Sequence, residues 1–193
     1  FMLDDQRTTK RVTERPQTGA CLHCHAANAL AFRQEGIKAG APGTLDSPLL
    51  SPDGYAQLQK GFELVCALPY AEATKKVEHP IACVDCHDPQ SLQLRVTRPG
   101  FLNAVARLAE SPDPLPHLDS IERWRKGSRS EAYDPNKLAS RQEMRSFVCS
   151  QCHVEYYCGP KTSLFYPWNN GLKVEQIEAY YDNYKFKDGH RFF

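Results

Sequence analysis

The sequence lacks an excess of charge of either sign, and it lacks any long apolar run. Its 193 residues include 24 Lys and Arg against 23 Asp and Glu, which gives a formal net charge of +1. This balance argues against a protein that binds nucleic acid or an anionic membrane through its bulk charge. No stretch approaches the roughly 18 consecutive apolar residues of a membrane-spanning helix, which excludes such a helix within this sequence.

A secretory start is missing as well. The sequence opens at Phe1 without an initiator Met and without the positively charged region that begins a signal peptide. We therefore expect a mature or cut fragment that forms one domain over residues 1–193 and is incomplete at both ends. Pro numbers 14 and Gly 11, so the helices should be short and the connections long. The predicted fold class is mainly α with long irregular loops and little β.

Cysteine carries the main signal, because six of the 8 Cys residues fall into one pattern that is used three times. The pattern is C-x-x-C-H, the attachment signature of c-type haem. Three independent copies would be a chance event on the order of one in a million. A zinc knuckle or a redox dithiol is the alternative for a single C-x-x-C pair, but neither requires a His directly after the second Cys. The three copies are Cys21-Leu22-His23-Cys24-His25, Cys83-Val84-Asp85-Cys86-His87 and Cys149-Ser150-Gln151-Cys152-His153.

The chemistry of haem attachment explains this spacing. Two thiols add across the two haem vinyl groups, so they must lie one short turn apart, and the following His supplies the proximal imidazole. The sequence therefore predicts three haem c groups on the six motif cysteines, in a multihaem cytochrome c architecture. The predicted iron ligands are His25, His87 and His153.

Two further expectations follow from these motifs. His23 lies too close to its own attachment site to reach the far face of that haem, so we expect it at the surface or beside the ligands. Because bacterial haem c attachment takes place outside the cytoplasmic membrane, we expect a periplasmic protein.

Helix signals occur between the motifs. Good helix formers at residues 26–34 precede Gly36, a plausible stop, and Ser51-Pro52 is typical of a helix start. An apolar stripe at helical spacing follows that start. Further helices are predicted from Pro99, from Asp134-Pro135 into the third motif and over residues 174–181, and a strand-like alternation over residues 92–96.

The third motif continues in a distinctive way. It reads CSQCHVEYYC over residues 149–158 and is followed by FYPWNNGLKVEQIEAYYD over residues 165–182. Together these segments closely resemble the pentahaem cytochrome c nitrite reductases, the family that reduces nitrite to ammonia. The resemblance spans nearly the whole sequence but only part of the enzyme. It implies that two more haem motifs and a catalytic His follow Phe193.

The resemblance implies that the first motif holds the active-site haem, whose iron has one protein ligand and an open position for nitrite. Many family members have Lys at this ligand position, whereas this sequence has His25, as in a C-x-x-C-H subgroup. An imidazole in place of an amine should alter the potential of the iron and its pull on the bound nitrogen. The family's distal arginine aligns with Arg11, with Arg7 as the alternative. Its guanidinium would attract and orient the anion.

Glu155 and Tyr156 resemble the family's calcium ligand and active-site tyrosine. A carboxylate and a Tyr backbone carbonyl supply two of the hard oxygens that calcium prefers. The Tyr156 hydroxyl would hydrogen-bond to the substrate or its intermediates. Two alternatives stay open for the remaining cysteines: Cys66 and Cys158 could pair in an oxidising compartment, or Cys158 could form a thioether with Tyr156, as in related octahaem nitrite reductases.

The resemblance also implies partners that lie outside the sequence. The haems of the second and third motifs should be bis-His electron carriers whose distal ligands come from elsewhere, so we expect surface or loop positions for His79, His117 and His190. A cytochrome or quinol-linked donor would supply electrons, and the complete enzyme should be a homodimer.

Two alternatives come from other functional classes. A pure electron-transfer cytochrome, in which every iron is six-coordinate, would carry the same three motifs. Hydroxylamine oxidation by a related multihaem fold is the other, and no motif in the sequence demands it. The Val154-Glu155-Tyr156 extension favours the nitrite reductase.

Overall fold

The computed structural model describes residue 14, residues 17–153, the pairs 157–158 and 164–165, residues 173–183, and residues 185 and 189. Short helices dominate this part of the chain. The α-helices are α1 (Leu22–His25), α2 (Ala29–Lys38), α3 (Pro52–Ala67), α4 (Tyr70–Ala73), α5 (Pro99–Glu110), α6 (Asp119–Lys126), α7 (Pro135–Leu138), α8 (Arg141–Ser150) and α9 (Val174–Asn183). The 3-10 turns are Gly19–Cys21, Thr74–Lys76 and Cys83–Asp85.

The β structure consists of two very short strands within the described residues. β1 (Tyr157–Cys158) pairs antiparallel with β2 (Leu164–Phe165), with Tyr157 opposite Phe165. The prediction of a mainly α fold with long loops and little β is therefore confirmed. No helix in the described ranges has the length and apolar character needed to cross a membrane.

Local sequence signals account for where several helices begin. The Ser51 side chain accepts a hydrogen bond from the Gly54 N–H, and Pro52 occupies the first turn of α3. Pro99 likewise occupies the first turn of α5, as predicted. Ser140 and Glu143 form a reciprocal capping box at the start of α8.

The structure differs from three of the predictions. Gly36 does not end α2, which continues to Lys38, because the glycine faces the Gln57 carbonyl of α3. The predicted strand-like alternation is wrong over most of its length: Leu92 is exposed in a turn with φ of 57°, and Leu94 forms only an isolated bridge with His87. The helix predicted from Asp134 is two helices, because Ala139 adopts an extended conformation between α7 and α8.

The core joins the helices that carry or precede the haem motifs. α2 and α3 pack antiparallel with their backbones in close approach, since Gly61 of α3 lies against the Phe32 carbonyl of α2. The Phe32 and Phe62 rings meet edge to face, with centroids 5.9 Å apart. A second aromatic pair, Phe101 and Phe147, ties α5 to α8 at the same centroid distance. The first pair packs beside the first motif, where the Phe62 ring also meets the His23 ring with centroids 5.4 Å apart, and the second pair packs beside the third motif.

Candidate haem-attachment site

Each C-x-x-C-H motif forms one helical turn. The first lies on the Gly19–Cys21 turn and α1, the second on the Cys83–Asp85 turn, and the third at the end of α8. In the second and third motifs, the His N–H donates to the carbonyl of the first Cys at 2.8 Å, as in an α-helix. Residues three and four apart share one helix face, so both cysteines and the His of a motif lie on the same side.

His87 is held in an orientation that suits a metal ligand. Its Nδ1–H donates to the Leu92 carbonyl oxygen at 2.9 Å. The positive φ of Leu92 makes the turn that places this carbonyl. Because the hydrogen bond fixes the proton on Nδ1, the Nε2 lone pair is left for an iron atom.

The residue before the second Cys of each motif is polar and fully buried. These residues are His23, Asp85 and Gln151, none more than 1% exposed. The expectation of a surface position for His23 is therefore wrong, whereas a position beside the ligands agrees with the structure. The physical reason is that Gly100, in the first turn of α5, needs a hydrogen-bond acceptor, and its N–H donates to His23 Nε2 at 3.1 Å.

Burial has a clear effect on His23. It holds the pKa of this imidazole well below its ordinary value, and the nearby Arg98 charge acts in the same direction. The ring is therefore neutral, accepts at Nε2 and carries its proton on Nδ1. This Nδ1 lies 3.5 Å from Cys24 Sγ.

Asp85 of the second motif forms a buried ion pair with Arg98. Asp85 Oδ1 accepts from Arg98 Nη1 at 2.7 Å, and both side chains are at most 1% exposed. Asp85 Oδ2 accepts from the Ala82 N–H at 2.9 Å, so both carboxylate oxygens are occupied. Two more Arg98 bonds reach the segment that follows the first motif, at Asn28 Oδ1 (2.6 Å) and the Ala26 carbonyl (3.0 Å), and another reaches Thr97 Oγ1 at 3.2 Å.

Gln151 of the third motif joins the same cluster. Its Oε1 accepts from the Thr97 N–H at 3.0 Å, and its Nε2 lies 3.5 Å from Cys86 Sγ of the second motif. A hydrogen bond with the Cys24 thiol, assisted by the Arg98 charge, lowers the pKa of Cys152 to about 6 against the opposing effect of burial. The second cysteines of all three motifs thus border one buried polar cluster.

Comparison with known proteins shows the family of the chain. The family model of cytochrome c552 matches residues 1–191. The chain belongs to the cytochrome c552 family. It is 31% identical over 193 residues to cytochrome c-552 of Parabacteroides distasonis, covering 96% of this chain and 29% of that protein. Cytochrome c-552 of Bacteroides thetaiotaomicron is 39% identical over 114 residues, covering 58% of this chain and 18% of that protein.

A solved structure is also similar to this cytochrome c552 chain. It is the cytochrome c nitrite reductase of Desulfovibrio desulfuricans, with a TM-score of 0.48 and 20% sequence identity. The match covers 98% of this chain and 33% of that one. The chain therefore spans about a third of the length of the proteins that it matches over most of its own length.

The residues of this cytochrome c552 chain fit haem c. Cys83 and Cys149 are exposed and three other motif cysteines are half-buried, so thiols are accessible in every motif. Two buried guanidinium groups, those of Arg95 and Arg98, each have an Nε–H without a hydrogen-bond partner. A haem carries two carboxylates that such donors bind well. The cysteines of all three motifs therefore fit haem attachment. Ligation of iron by His25, His87 and His153 stays a prediction.

Several predicted site residues lie outside this cluster or outside the described residues. Arg11, Arg7, Glu155 and Tyr156 are among the residues that the structure does not describe, as is His190, and only the backbone of Cys158 is described. Within the described ranges, no three His, Cys, Asp or Glu residues form a group able to hold a metal ion. His79 and His117 are exposed, as expected. Cys66 is a buried thiol without a disulfide, and burial raises its pKa.

Sequence reasoning missed the residues that connect the motifs, namely Asn28, Thr97 and Arg98. A signal was present within the motifs themselves, because a polar residue precedes the second Cys in all three. No spacing rule, however, relates those residues to a segment that lies between the second and third motifs. Only the folded chain brings them together.

Proposed function

We propose that this chain is part of a multihaem c-type cytochrome that reduces nitrite to ammonia, with nitrite bound at the haem of the first motif. The observation that carries the proposal is the convergence of three C-x-x-C-H turns on one buried cluster, in a chain of the cytochrome c552 family. The close approach of the motifs suits the transfer of several electrons to one reaction centre.

In this proposal the motif residues divide into attachment and ligation. The three cysteine pairs form thioethers, and the imidazoles of His25, His87 and His153 bind iron. When bound, the haems would pass electrons from the external donor and provide the iron for nitrite reduction. The Leu92 carbonyl holds His87 in one tautomer, which leaves its Nε2 for iron.

Arg11 and Tyr156 complete the proposed nitrite pocket. The Arg11 guanidinium orients the anion and stabilises the charge that develops as N–O bonds break. The Tyr156 hydroxyl donates a hydrogen bond to the bound substrate. Glu155 and the Tyr156 carbonyl contribute to a calcium site, and residues beyond this chain complete it.

The remaining features of the proposal concern the whole protein. We place it in the periplasm, as a homodimer that receives electrons from a cytochrome or quinol-linked donor. The alternative function, electron transfer with every iron six-coordinate, is favoured by the same three motifs. The two functions differ in one observable, since the reductase requires a haem iron with an open position.

The experiment uses the full-length protein that contains this chain, matured with its haems. Electron paramagnetic resonance should show one high-spin ferric haem, and this signal should change when nitrite is added. A His25→Met variant should alter the nitrite-sensitive signal, whereas the matched His87→Met variant should leave it intact. If every haem of the wild-type protein is low-spin and insensitive to nitrite, the reductase is excluded and the electron carrier is correct.

A further inference from the structure

One short segment contacts all three haem motifs at the same motif position. We call residues 97–100 the hub segment; it leads into α5 and reads Thr-Arg-Pro-Gly. The buried polar residue before the second Cys of each motif bonds to it. His23 accepts from the Gly100 N–H, Asp85 accepts from Arg98, and Gln151 accepts from the Thr97 N–H.

Arg98 is the charged centre of the hub segment. Its side chain is 0% exposed. Its guanidinium binds the Ala26 carbonyl beside the first motif and the Asp85 carboxylate within the second. The neighbouring Thr97 N–H donates to Gln151 of the third motif. Arg98 and the residue beside it are therefore in contact with residues in or next to every haem-attachment turn.

We propose that Arg98 is a positioning residue that sets both the relative placement of the three haems and their reduction potentials. This inference rests on the proposed attachment of haem to the three motifs. The placement follows from geometry, because the planar guanidinium bonds in fixed directions to segments that are far apart in sequence. The effect on potential follows from charge, because the ion pair is removed from solvent and is only weakly screened.

The sign of the electrostatic effect can be stated for each partner of the ion pair. Reduction adds one negative charge to a haem, so a nearby cation favours the reduced form and a nearby anion opposes it. Removal of the Arg98 charge leaves the Asp85 carboxylate unbalanced, which should lower the reduction potentials. Removal of the Asp85 charge leaves the guanidinium unbalanced, which should raise them.

A purely structural role would give a different pattern. Loss of either partner would then loosen the same contacts, and both variants would lose stability and haem content in parallel. Opposite shifts of potential cannot arise from a common loss of packing. The direction of the shift therefore separates a potential-setting role from a structural one.

The experiment is a spectroelectrochemical titration of the haem-loaded full-length protein and its variants. Arg98→Gln should shift the midpoint potentials down and Asp85→Asn should shift them up, while Arg98→Lys keeps the charge and should stay near the wild type. The matched control is Arg125→Gln, another little-exposed ion-paired arginine, which binds backbone carbonyls at the far end of α5. It should lower thermal stability without moving the potentials.

Mass spectrometry of covalent haem on each cysteine pair accompanies the titration. If Arg98→Gln does not acquire its haems, the midpoint potentials of Asp85→Asn and Arg98→Lys still test the inference. Potentials that stay unchanged, or that shift in the same direction in Asp85→Asn and Arg98→Gln, overturn the inference while haem attachment stands. Absence of haem from the wild-type motifs overturns the proposed function and this inference with it.

Discussion

The contact between α2 and α3 permits no side chain at Gly61. A Cβ added there would overlap the Phe32 carbonyl carbon and oxygen, which belong to the backbone and cannot rotate away. To restore van der Waals contact, the two helices would have to separate by roughly 1–2 Å. We therefore expect Gly61→Ala to open the packing between α2 and α3 and to destabilise the protein.

The magnitude follows from two opposing effects. Overpacking of a filled core costs about 1–3 kcal/mol, and the parted helices also lose contacts of Leu58 and Phe62. Alanine is the better helix former by about 1 kcal/mol, which offsets part of the loss. A net loss of about 2 kcal/mol corresponds to a fall of ~4–8 °C in Tm for a domain of this size.

Thermal unfolding of the haem-loaded protein, followed by circular dichroism at helical wavelengths, measures this fall. Gly127→Ala is the control, because a Cβ there would meet no atom nearer than 3.4 Å. The control should unfold at the wild-type temperature. A Gly61→Ala protein that also unfolds at the wild-type temperature would refute the close backbone approach of α2 and α3.

Two further predictions concern buried hydrogen bonds. Burial acts to raise the pKa of Glu143, but hydrogen bonds from Ser120 and Ser140 outweigh it and hold the pKa below its ordinary value. The carboxylate therefore stabilises the fold above about pH 4.3, and this contribution is lost as the pH falls through the lower folded pKa. Urea unfolding should give Glu143→Gln a lower free energy of unfolding than the wild type at pH 7, and this difference should narrow towards pH 3. A difference in unfolding free energy that stays constant with pH would contradict this. Asn28 donates to two carbonyls of the first motif and accepts from the buried guanidinium, so Asn28→Ala should lose about 1–3 kcal/mol in the same assay. The exposed Asn103→Ala control should lose less than about 0.5 kcal/mol, and equal losses would show that burial is not the cause.

Much of the fold could be predicted because the signals are local. Ser51 and Pro52 specify a helix start through their own hydrogen bond and backbone angle, and the structure begins α3 there. Gly36 shows the limit of prediction from local sequence signals. A glycine at a helix terminus and a glycine at a helix crossing are the same residue in sequence, and only the neighbouring Gln57 carbonyl distinguishes them.

In the candidate site, too, the local motifs could be predicted and the contacts between residues far apart in sequence could not. Each C-x-x-C-H turn is a local motif, so its cysteines and His could be named from spacing alone. Arg98 could not, because its partners lie 13 and 70 residues away and a buried arginine has no periodic signature. The choice between a surface position and a position beside the ligands for His23 could not be made for the same reason, since its acceptor role depends on Gly100, 77 residues distant.

An extended segment with unpaired backbone groups can pair with a strand of another molecule, and the chain around Val96 avoids this. The Asn136 side chain accepts from the Val96 N–H at 2.7 Å and donates to the Val96 carbonyl at 2.9 Å, as a neighbouring strand would. A single amide group thus covers a backbone edge on which another polypeptide could otherwise add itself. At Val96 one side chain makes the two backbone hydrogen bonds that a neighbouring strand would make, and the protein needs no sheet around this residue.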